Sequence, residues 1–198
     1  MEKKTALRTG CLLMAAGNAS RFNANKLMAD FRGKPLIRYA MEAIAQYGFD
    51  QIVVVTQYPQ IEAMAGEFGF DCIRNEYPEW GASYTIRLGT QALQDCDGVL
   101  YMVSDQPQLT AESVRHIVET WKQTPDCVIA PASGERTGNP CIFPQKLFAA
   151  LMALEGDVGG KKVIRQHPEL LRTVQIEAEQ LFDCDTPEAL EELRKQKK

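Results

Sequence analysis

A basic loop follows the first apolar run of the sequence. Residues 11–16 are apolar, and the small residues that come next lead to Arg21 and Lys26. Small residues let backbone N–H groups approach a ligand closely, and such groups can cradle a phosphate. Arginine grips phosphate oxygens with a planar fork, whereas lysine supplies a compact positive charge. The loop lacks the GxGxxG and P-loop spacings, so it is either a phosphate site of another kind or a plain surface loop.

Two later segments carry carboxylates that could hold a metal ion. Asp105 directly follows the apolar residues 98–104, and Asp183 and Asp185 alternate just before Pro187. An acid at the C-terminal end of a central strand faces the ligand crevice of an open α/β sheet. Mg²⁺ generally takes one or two protein carboxylates beside substrate phosphates. The alternatives are a helix cap or a turn for Asp105 and a helix start for Asp185.

Three further loops gather glycine and polar residues, at positions 81–83, 134–140 and 156–162. Each is a weak candidate by itself, because ordinary loops have the same composition. His116 falls within a predicted helix and His167 near a proline turn, which favours structural or solvated roles for both. No Ser–His–Asp or Cys–His arrangement is evident.

The elements that position these loops alternate between apolar runs and longer helical segments. Strands are predicted at residues 11–16, 51–56, 98–104 and 127–130, with weaker ones at 71–74, 139–143, 171–176 and 180–182. Helices are predicted at residues 34–47, 60–68, 82–93, 110–122, 145–154, 159–166 and 186–197. The alternation predicts a three-layer α/β fold with a mostly parallel sheet, in one domain spanning residues 1–198. Residues 133–135 are predicted to turn a local hairpin.

Composition excludes several classes of protein. The 198 residues carry a net charge of −4, which argues against a general nucleic-acid binder. No apolar run approaches the roughly 20 residues of a membrane span, and residues 11–16 are too few for a signal-peptide core. The six cysteines form no CxxC pair, so structural thiols are favoured over a zinc site. We therefore expect a cytoplasmic protein that binds neither nucleic acid nor membrane.

Together these segments resemble the molybdenum cofactor cytidylyltransferase branch of the MobA-like NTP transferase superfamily. The family pattern LAAGxSxRMGxxK is similar to residues 14–26, and GKPLI stands at residues 33–37. The patterns GMSSSLRAG, DQPxLT, RxGHP, GDxGxR and DIDTPEDL are similar to residues 81–89, 105–110, 136–140, 156–161 and 183–190. The motifs run in the family's order across nearly the whole chain.

Three positions depart from the family pattern, and a fourth distinguishes between two branches of the family. Asn23 replaces the first loop's usual glycine, and asparagine tolerates a left-handed backbone better than most residues. Asn139 replaces histidine and Lys161 replaces arginine, in segments that the family uses for the acceptor. The alanine at position 16 is similar to the cytidylyltransferase pattern, whereas the guanylyltransferase branch has a glycine at this position that leaves room for a purine.

The resemblance implies a Rossmann-like nucleotidyltransferase fold and the reaction of CTP with Mo-molybdopterin to give molybdopterin cytosine dinucleotide and pyrophosphate. It implies catalytic roles for Arg21, Lys26 and Asp105, and a Mg²⁺ or Mn²⁺ site at Asp105 and Asp185. The implied nucleotide and pterin contacts are Ala15, Ala16, Gly17, Ser20, Arg21, Lys26, Gly81, Ala82, Ser83, Arg136, Asn139 and Lys161, the last three on the acceptor side. A molybdenum hydroxylase apoenzyme is the implied transient partner.

Two other functions compete with this one. The first is nucleotidyl transfer to a sugar phosphate or a polyol phosphate, for which the chain is short. The second is a non-catalytic chaperone that hands a cofactor to a molybdenum hydroxylase. A pure binder does not need metal-binding acids, so the presence of Asp105 and Asp185 beside Arg21 and Lys26 favours an enzyme.

Overall fold

A twisted β-sheet forms the centre of the computed structural model, which describes residues 6–17 and 25–195. Over those residues the strands are β1 (Thr9–Ala15), β2 (Asp30–Phe31), β3 (Lys34–Pro35), β4 (Gln51–Thr56), β5 (Asp71–Arg74), β6 (Gly98–Val103), β7 (Val128–Ser133), β8 (Arg136–Thr137), β9 (Cys141–Pro144) and β10 (Leu171–Gln175). The main sheet has the order β10-β7-β9-β6-β1-β4-β5, with β8 paired to β7, and β2 and β3 form a separate hairpin.

The central strands of the sheet are parallel. β1 pairs in parallel with β4 on one side and with β6 on the other, and β5 continues the parallel order beyond β4. β10 is parallel to β7, whereas β9 runs antiparallel to both β6 and β7. The prediction of a mostly parallel sheet is confirmed, and the carboxyl ends of β1, β4 and β6 meet at one edge.

Helices cover both faces of this sheet. In the described part of the chain they are α1 (Leu36–Ala45), α2 (Pro59–Glu67), α3 (Ala82–Ala92), α4 (Ala111–Gln123), α5 (Phe148–Met152), α6 (Lys161–Gln166) and α7 (Pro187–Lys195). Successive side chains of a strand point to opposite faces, so Leu13 joins one core cluster with α1 and α4. Leu12 joins a second cluster with α3 and α5. The three-layer α/β architecture is thus confirmed.

Short 3₁₀ helices link several of these elements. They occupy Lys26–Met28, Pro78–Trp80, Gln145–Leu147, Pro168–Leu170 and Ala178–Leu181. The strand predicted at residues 180–182 is therefore wrong. The segment lies against the start of α4 instead. There the Gln180 side chain accepts hydrogen bonds from Ser113 Oγ at 2.6 Å and Thr110 N at 3.2 Å.

Two local predictions concern the ends of elements. The helix predicted from residue 34 begins at Leu36, because Lys34 and Pro35 pair with the strand Asp30–Phe31. The hairpin predicted around residues 133–135 is confirmed, since Ser133 lies opposite Arg136 in an antiparallel pair. Among the described residues, no helix is long and apolar enough to cross a membrane.

Candidate active site

The candidate site lies at the edge where β1 and β6 end. The two strands are parallel and in register, with Met14 beside Val103. The Ser104 hydroxyl donates a hydrogen bond to the Met14 carbonyl and ties the two strand ends together. Beyond them opens a cavity of about 510 Å³ whose lining includes Met14, Ala15, Ala16, Gly17, Lys26, Leu27, Pro78, Glu79, Gly81, Ala82, Thr85, Val103, Ser104, Asp105 and Asp157. This is the position at which open α/β sheets bind their ligands.

Lys26 lies between two carboxylates at this cavity. Its Nζ is 2.8 Å from Asp105 Oδ2 and 3.0 Å from Asp185 Oδ1. The side chains of Lys26 and Asp105 are only 17% and 18% exposed, whereas that of Asp185 is 57% exposed. Burial lowers the pKa of Lys26, but the charges and hydrogen bonds of Asp105 and Asp185 outweigh it and raise the pKa overall. The group is therefore a charged ammonium at neutral pH.

Local backbone structure brings these three residues together. The Asn25 side chain caps the 3₁₀ helix that begins at Lys26, accepting a hydrogen bond from Leu27 N at 3.1 Å. The backbone N–H of Cys184 donates to the Asp105 carbonyl at 2.9 Å and so holds the segment before α7 against the end of β6. Because of this backbone bond, the carboxylates of Asp105 and Asp185 converge although they come from distant parts of the sequence.

Asp183 has a different partner from Asp185. Its Oδ1 accepts a hydrogen bond from Gln106 Nε2 at 2.8 Å. Burial raises the pKa of Asp183, the hydrogen bond from Gln106 opposes this rise, and the negative charges of Asp105 and Asp185 add to it. Of the two acids in the segment before Pro187, Asp185 is thus the one that shares the Lys26 ammonium with Asp105.

The carboxylates of Asp105 and Asp185 fit a divalent cation. Both direct an oxygen at the same ammonium nitrogen, so a single positive charge already lies between them. Mg²⁺ and Mn²⁺ prefer oxygen ligands, and Mg²⁺ commonly uses one or two carboxylates together with water and substrate phosphates. Within residues 6–17 and 25–195 no group of three or more His, Cys, Asp or Glu side chains could hold a metal. A two-carboxylate site is therefore the type of metal site that this region can offer.

Gly81 and Asp157 form another part of the cavity wall through a close backbone contact. Gly81 has φ +82°, and a Cβ there would lie 2.7 Å from the Asp157 backbone. Asp157 Oδ1 in turn accepts a hydrogen bond from Ala82 N at 3.3 Å, at the start of α3. The loop at residues 156–157 and the start of α3 thus pack backbone to backbone and form one side of the cavity.

We expect Gly81→Ala to destabilise the protein more than Gly48→Ala does. Both glycines have φ +82°, but the space around Gly48 is open. Alanine at Gly48 costs about 1 kcal/mol of backbone strain. At Gly81, where ψ is −174°, the backbone conformation is almost exclusive to glycine, so alanine costs about 1–3 kcal/mol there, and the clash adds about 2 kcal/mol. Urea unfolding should separate the two variants, and only Gly81→Ala should also lower turnover, because it displaces Asp157 from the cavity. Equal losses of stability in both variants would contradict this account of the wall.

Comparison with known proteins decides the family. Residues 11–170 match the family described as the MobA-like NTP transferase domain. The chain belongs to this MobA-like NTP transferase family. The matched residues include residues 11–15 of β1, the sequence that follows, and Asp105 just after β6.

Two curated relatives show how far the MobA-like sequence extends. The bifunctional protein GlmU of Rhizorhabdus wittichii is 30% identical over 137 residues, which cover 67% of this chain and 30% of GlmU. This chain thus spans less than a third of the length of that relative. The purine catabolism protein PucB of Bacillus subtilis is 22% identical over 198 residues, covering 93% of this chain and 95% of PucB.

Solved structures share the MobA-like fold. Rv0371c of Mycobacterium tuberculosis superposes with a TM-score of 0.84 at 21% identity, over 97% of this chain and 100% of that one. The Rv0371c complex with manganese has a TM-score of 0.78 at 20% identity, over 95% and 98% of the two chains. A CMP:2-keto-3-deoxy-manno-octonic acid synthetase in complex with CTP has a TM-score of 0.77 at 15% identity, over 94% and 97%. At these identities the likeness establishes the fold of the chain.

The structure places the predicted site residues of this MobA-like chain in three groups. The cavity lining includes Ala15, Ala16, Gly17, Lys26, Gly81, Ala82 and Asp105, and Asp185 joins them through Lys26. Ser83 is buried, with its N–H donating to the Gly156 carbonyl at 3.3 Å, and this cavity is not lined by Ser83, Arg136, Asn139 or Lys161. Ser20 and Arg21 lie outside the described residues.

The lining residues that the sequence analysis missed include three polar ones. Glu79, Thr85 and Asp157 all border the cavity, although none was singled out as a site residue. Asp157 stands in the GD pair of the motif at residues 156–161, so its signal was available in the same segment that drew attention to Lys161. Glu79 and Thr85 lie near Gly81 in the sequence, but neither belongs to a sequence pattern that indicates a ligand.

Proposed function

We propose that this MobA-like chain transfers CMP from CTP to the terminal phosphate of Mo-molybdopterin, giving molybdopterin cytosine dinucleotide and pyrophosphate. The observation that carries the proposal is the convergence of Lys26, Asp105 and Asp185 at a cavity walled by residues 15–17. That arrangement joins a positive charge for phosphates to two carboxylates for a divalent cation. The motifs shared with the molybdenum cofactor cytidylyltransferases support the choice of both substrates.

The transfer needs no nucleophile from the protein. An oxygen of the acceptor's terminal phosphate attacks the α-phosphorus of CTP, and the bond from that phosphorus to the bridging oxygen of pyrophosphate breaks. Lys26 holds the phosphates and stabilises the charge that develops on the leaving group, and we assign the same task to Arg21. Asp105 and Asp185 would hold Mg²⁺ or Mn²⁺, which supplies Lewis-acid polarisation of the α-phosphate. The protein's own contribution is thus positioning and electrostatics.

A rigid backbone wall supports the assignment of the nucleotide. The carbonyls of Ala15, Ala16 and Gly17 each accept a side-chain hydrogen bond from the end of β4 or the residues after it, at 3.0, 2.8 and 3.1 Å. The wall therefore cannot recede easily to admit a larger base. The Ala16 methyl group occupies space that a glycine leaves open, which favours a pyrimidine over a purine.

The nucleotide is tested by comparing CTP, GTP, ATP and UTP with molybdenum cofactor as the acceptor. We expect pyrophosphate release with CTP, dependent on the acceptor, and much slower release with GTP. Ala16→Gly should reduce the preference for CTP over GTP by about tenfold or more, because one methyl group in a pocket is worth about 1–3 kcal/mol. Equal use of CTP and GTP by the unchanged protein would contradict the selectivity argument.

The same assay distinguishes the competing functions. Turnover with a sugar phosphate or a polyol phosphate, but none with molybdenum cofactor, would point to the sugar-type transferases. Binding of nucleotide and cofactor without pyrophosphate release would point to a chaperone. On the proposed function, Arg136, Asn139 and Lys161 contact the acceptor, residues 1–198 act as one cytoplasmic domain, and the product passes to a molybdenum hydroxylase apoenzyme.

A further inference from the structure

An exposed aromatic cluster stands at the rim of the candidate active site. Among the described residues, Tyr77 and Trp80 are the large hydrophobic side chains that remain exposed, at 42% and 48%. Their rings stack with centroids 4.5 Å apart and 14° between the ring planes. Tyr84 packs edge-on against Trp80, with centroids 4.8 Å apart. A cluster of exposed aromatic rings, unlike a single exposed residue, indicates a surface that binds something.

This cluster is held firmly by the backbone beneath it. Tyr77 N donates to Asn75 Oδ1 at 2.9 Å, and the buried Asn75 side chain donates to Thr85 Oγ1 at 3.2 Å. Trp80 closes the 3₁₀ turn by donating its N–H to the Tyr77 carbonyl at 3.0 Å. Because the turn is fixed, the stack is ordered before a ligand arrives, and binding loses less conformational entropy.

The cluster adjoins the cavity through its neighbours in the chain, and its rings lie outside the cavity lining itself. Pro78, Glu79 and Gly81, the neighbours of Trp80 along the chain, all line the cavity that Lys26 and Asp105 also line. One cavity thus has a phosphate-binding charge among its lining residues and an aromatic stack at its rim. A ligand that carries both phosphates and a planar ring matches these two features together.

We propose that Trp80, backed by Tyr77 and Tyr84, is a stacking platform for a planar heteroaromatic ring of a substrate. The inference rests on the proposed function, in which both substrates carry such a ring, the cytosine of CTP and the pterin of the acceptor. Stacking engages the π face of a ring and not its hydrogen-bonding edge, so the same platform chemistry serves either source. A stable protein interface buries roughly 1,000 Å² of surface or more, and two exposed rings offer far less than that. A small planar ring is therefore the better occupant.

Substitution of Trp80 tests the platform. Trp80→Ala should weaken binding of the substrate whose ring stacks on Trp80 by about 5–150-fold, and Trp80→Phe should retain most of the affinity. The matched control is Phe68→Ala, because Phe68 stacks on Phe70 with centroids 5.3 Å apart, and neither it nor any residue near it in the chain lines the cavity. Calorimetry gives the Kd of CTP and steady-state kinetics gives the KM of molybdopterin. A change in the CTP Kd assigns the ring to the base, and a change in the acceptor KM alone assigns it to the pterin.

Tryptophan fluorescence supplies a second readout. The chain has two tryptophans, and Trp121 is fully buried, so quenching by acrylamide reports mainly on Trp80. CTP or molybdopterin should protect Trp80 from the quencher, whereas ribose 5-triphosphate, which has the phosphates but no ring, should not. Equal protection by ribose 5-triphosphate would overturn the proposal, and so would protection that grows with protein concentration alone, since that would place a second copy on the cluster.

The outcomes separate the platform from the proposed function. Calorimetry is run with whichever of the four nucleoside triphosphates binds, so the platform is tested even if the cytidylyl assignment fails. A folded Trp80→Ala enzyme that forms product with unchanged Kd and KM would overturn the platform and leave the function intact.

Discussion

Lys26→Met should lower turnover by about 10²–10³-fold, because a charge that stabilises the transition state is worth about 3–4 kcal/mol. Methionine keeps most of the aliphatic stem of Lys26 and removes only the ammonium. Lys26→Ala should lower turnover to a similar extent. The measurement is pyrophosphate release at saturating CTP and acceptor, and an unchanged rate would remove Lys26 from the mechanism.

The same substitution should tighten Mn²⁺ binding to the nucleotide-free protein. Lys26 Nζ lies 2.8 Å from Asp105 and 3.0 Å from Asp185, in the place that a cation between these carboxylates needs. A metal ion must therefore displace the ammonium, and removing it should lower the Mn²⁺ Kd by about fivefold, since the lost pairing is worth roughly 1 kcal/mol. Paramagnetic resonance of free Mn²⁺ gives this Kd without any turnover.

A second lysine serves as the control for both effects. Lys34 Nζ pairs with Glu42 Oε2 at 2.7 Å, and neither residue lines the cavity. Lys34→Met should leave both turnover and Mn²⁺ affinity unchanged. If Lys26→Met weakens Mn²⁺ binding, the ammonium supports the metal site instead of competing for it, and the displacement argument fails.

The fold followed from the sequence wherever burial alone determines structure. Residues 51–56 were predicted as a strand and form β4 with the same bounds, because their apolar and β-branched residues suit a sheet covered on both faces. Residues 71–74 also form the predicted strand, β5, although this strand lies at the edge of the sheet and is only partly buried. The segment at residues 180–182 was predicted wrongly. There the hydrogen bonds from Ser113 and Thr110 to Gln180 hold a 3₁₀ turn over α4, and no local pattern reveals a partner so distant in the sequence.

The candidate site was predictable as separate residues but not as an arrangement. Lys26, Asp105 and Asp185 were each predicted from their motifs. The two carboxylates reach the same Lys26 ammonium, however, because of the backbone bond from Cys184 N to the Asp105 carbonyl. Spacing likewise could not show that Asp185 faces Lys26 while Asp183 accepts from Gln106. Asp157 was missed because its place in the wall depends on the close contact between residues 156–157 and Gly81.

Asp105→Asn should reduce metal-dependent turnover by about 10³-fold while the free energy of unfolding stays nearly constant. Asparagine keeps the shape of the side chain but loses the negative charge that a divalent cation requires. The variant loses the ion pair between Asp105 and Lys26 Nζ at 2.8 Å, but the repulsion between Asp105 and the nearby Asp183 and Asp185 is relieved at the same time. The backbone bond from Cys184 N to the carbonyl of residue 105, at 2.9 Å, is retained. Turnover and urea unfolding of the same sample measure both quantities, and Mn²⁺ affinity should fall in parallel with turnover.

A carboxylate at the other end of β1 should affect stability and not turnover. Asp50 Oδ2 accepts a hydrogen bond from Thr9 N at 2.7 Å, at the end of the strand away from the cavity. Asp50→Asn should therefore cost about 1 kcal/mol of stability, as the loss of a charge-assisted hydrogen bond does, and leave turnover intact. If Asp105→Asn instead unfolds the protein, its carboxylate is a structural cap, and the metal site must be sought elsewhere. The contrast between Asp50, just before β4, and Asp105, just after β6, thus separates a carboxylate that stabilises the sheet from one that acts at the cavity.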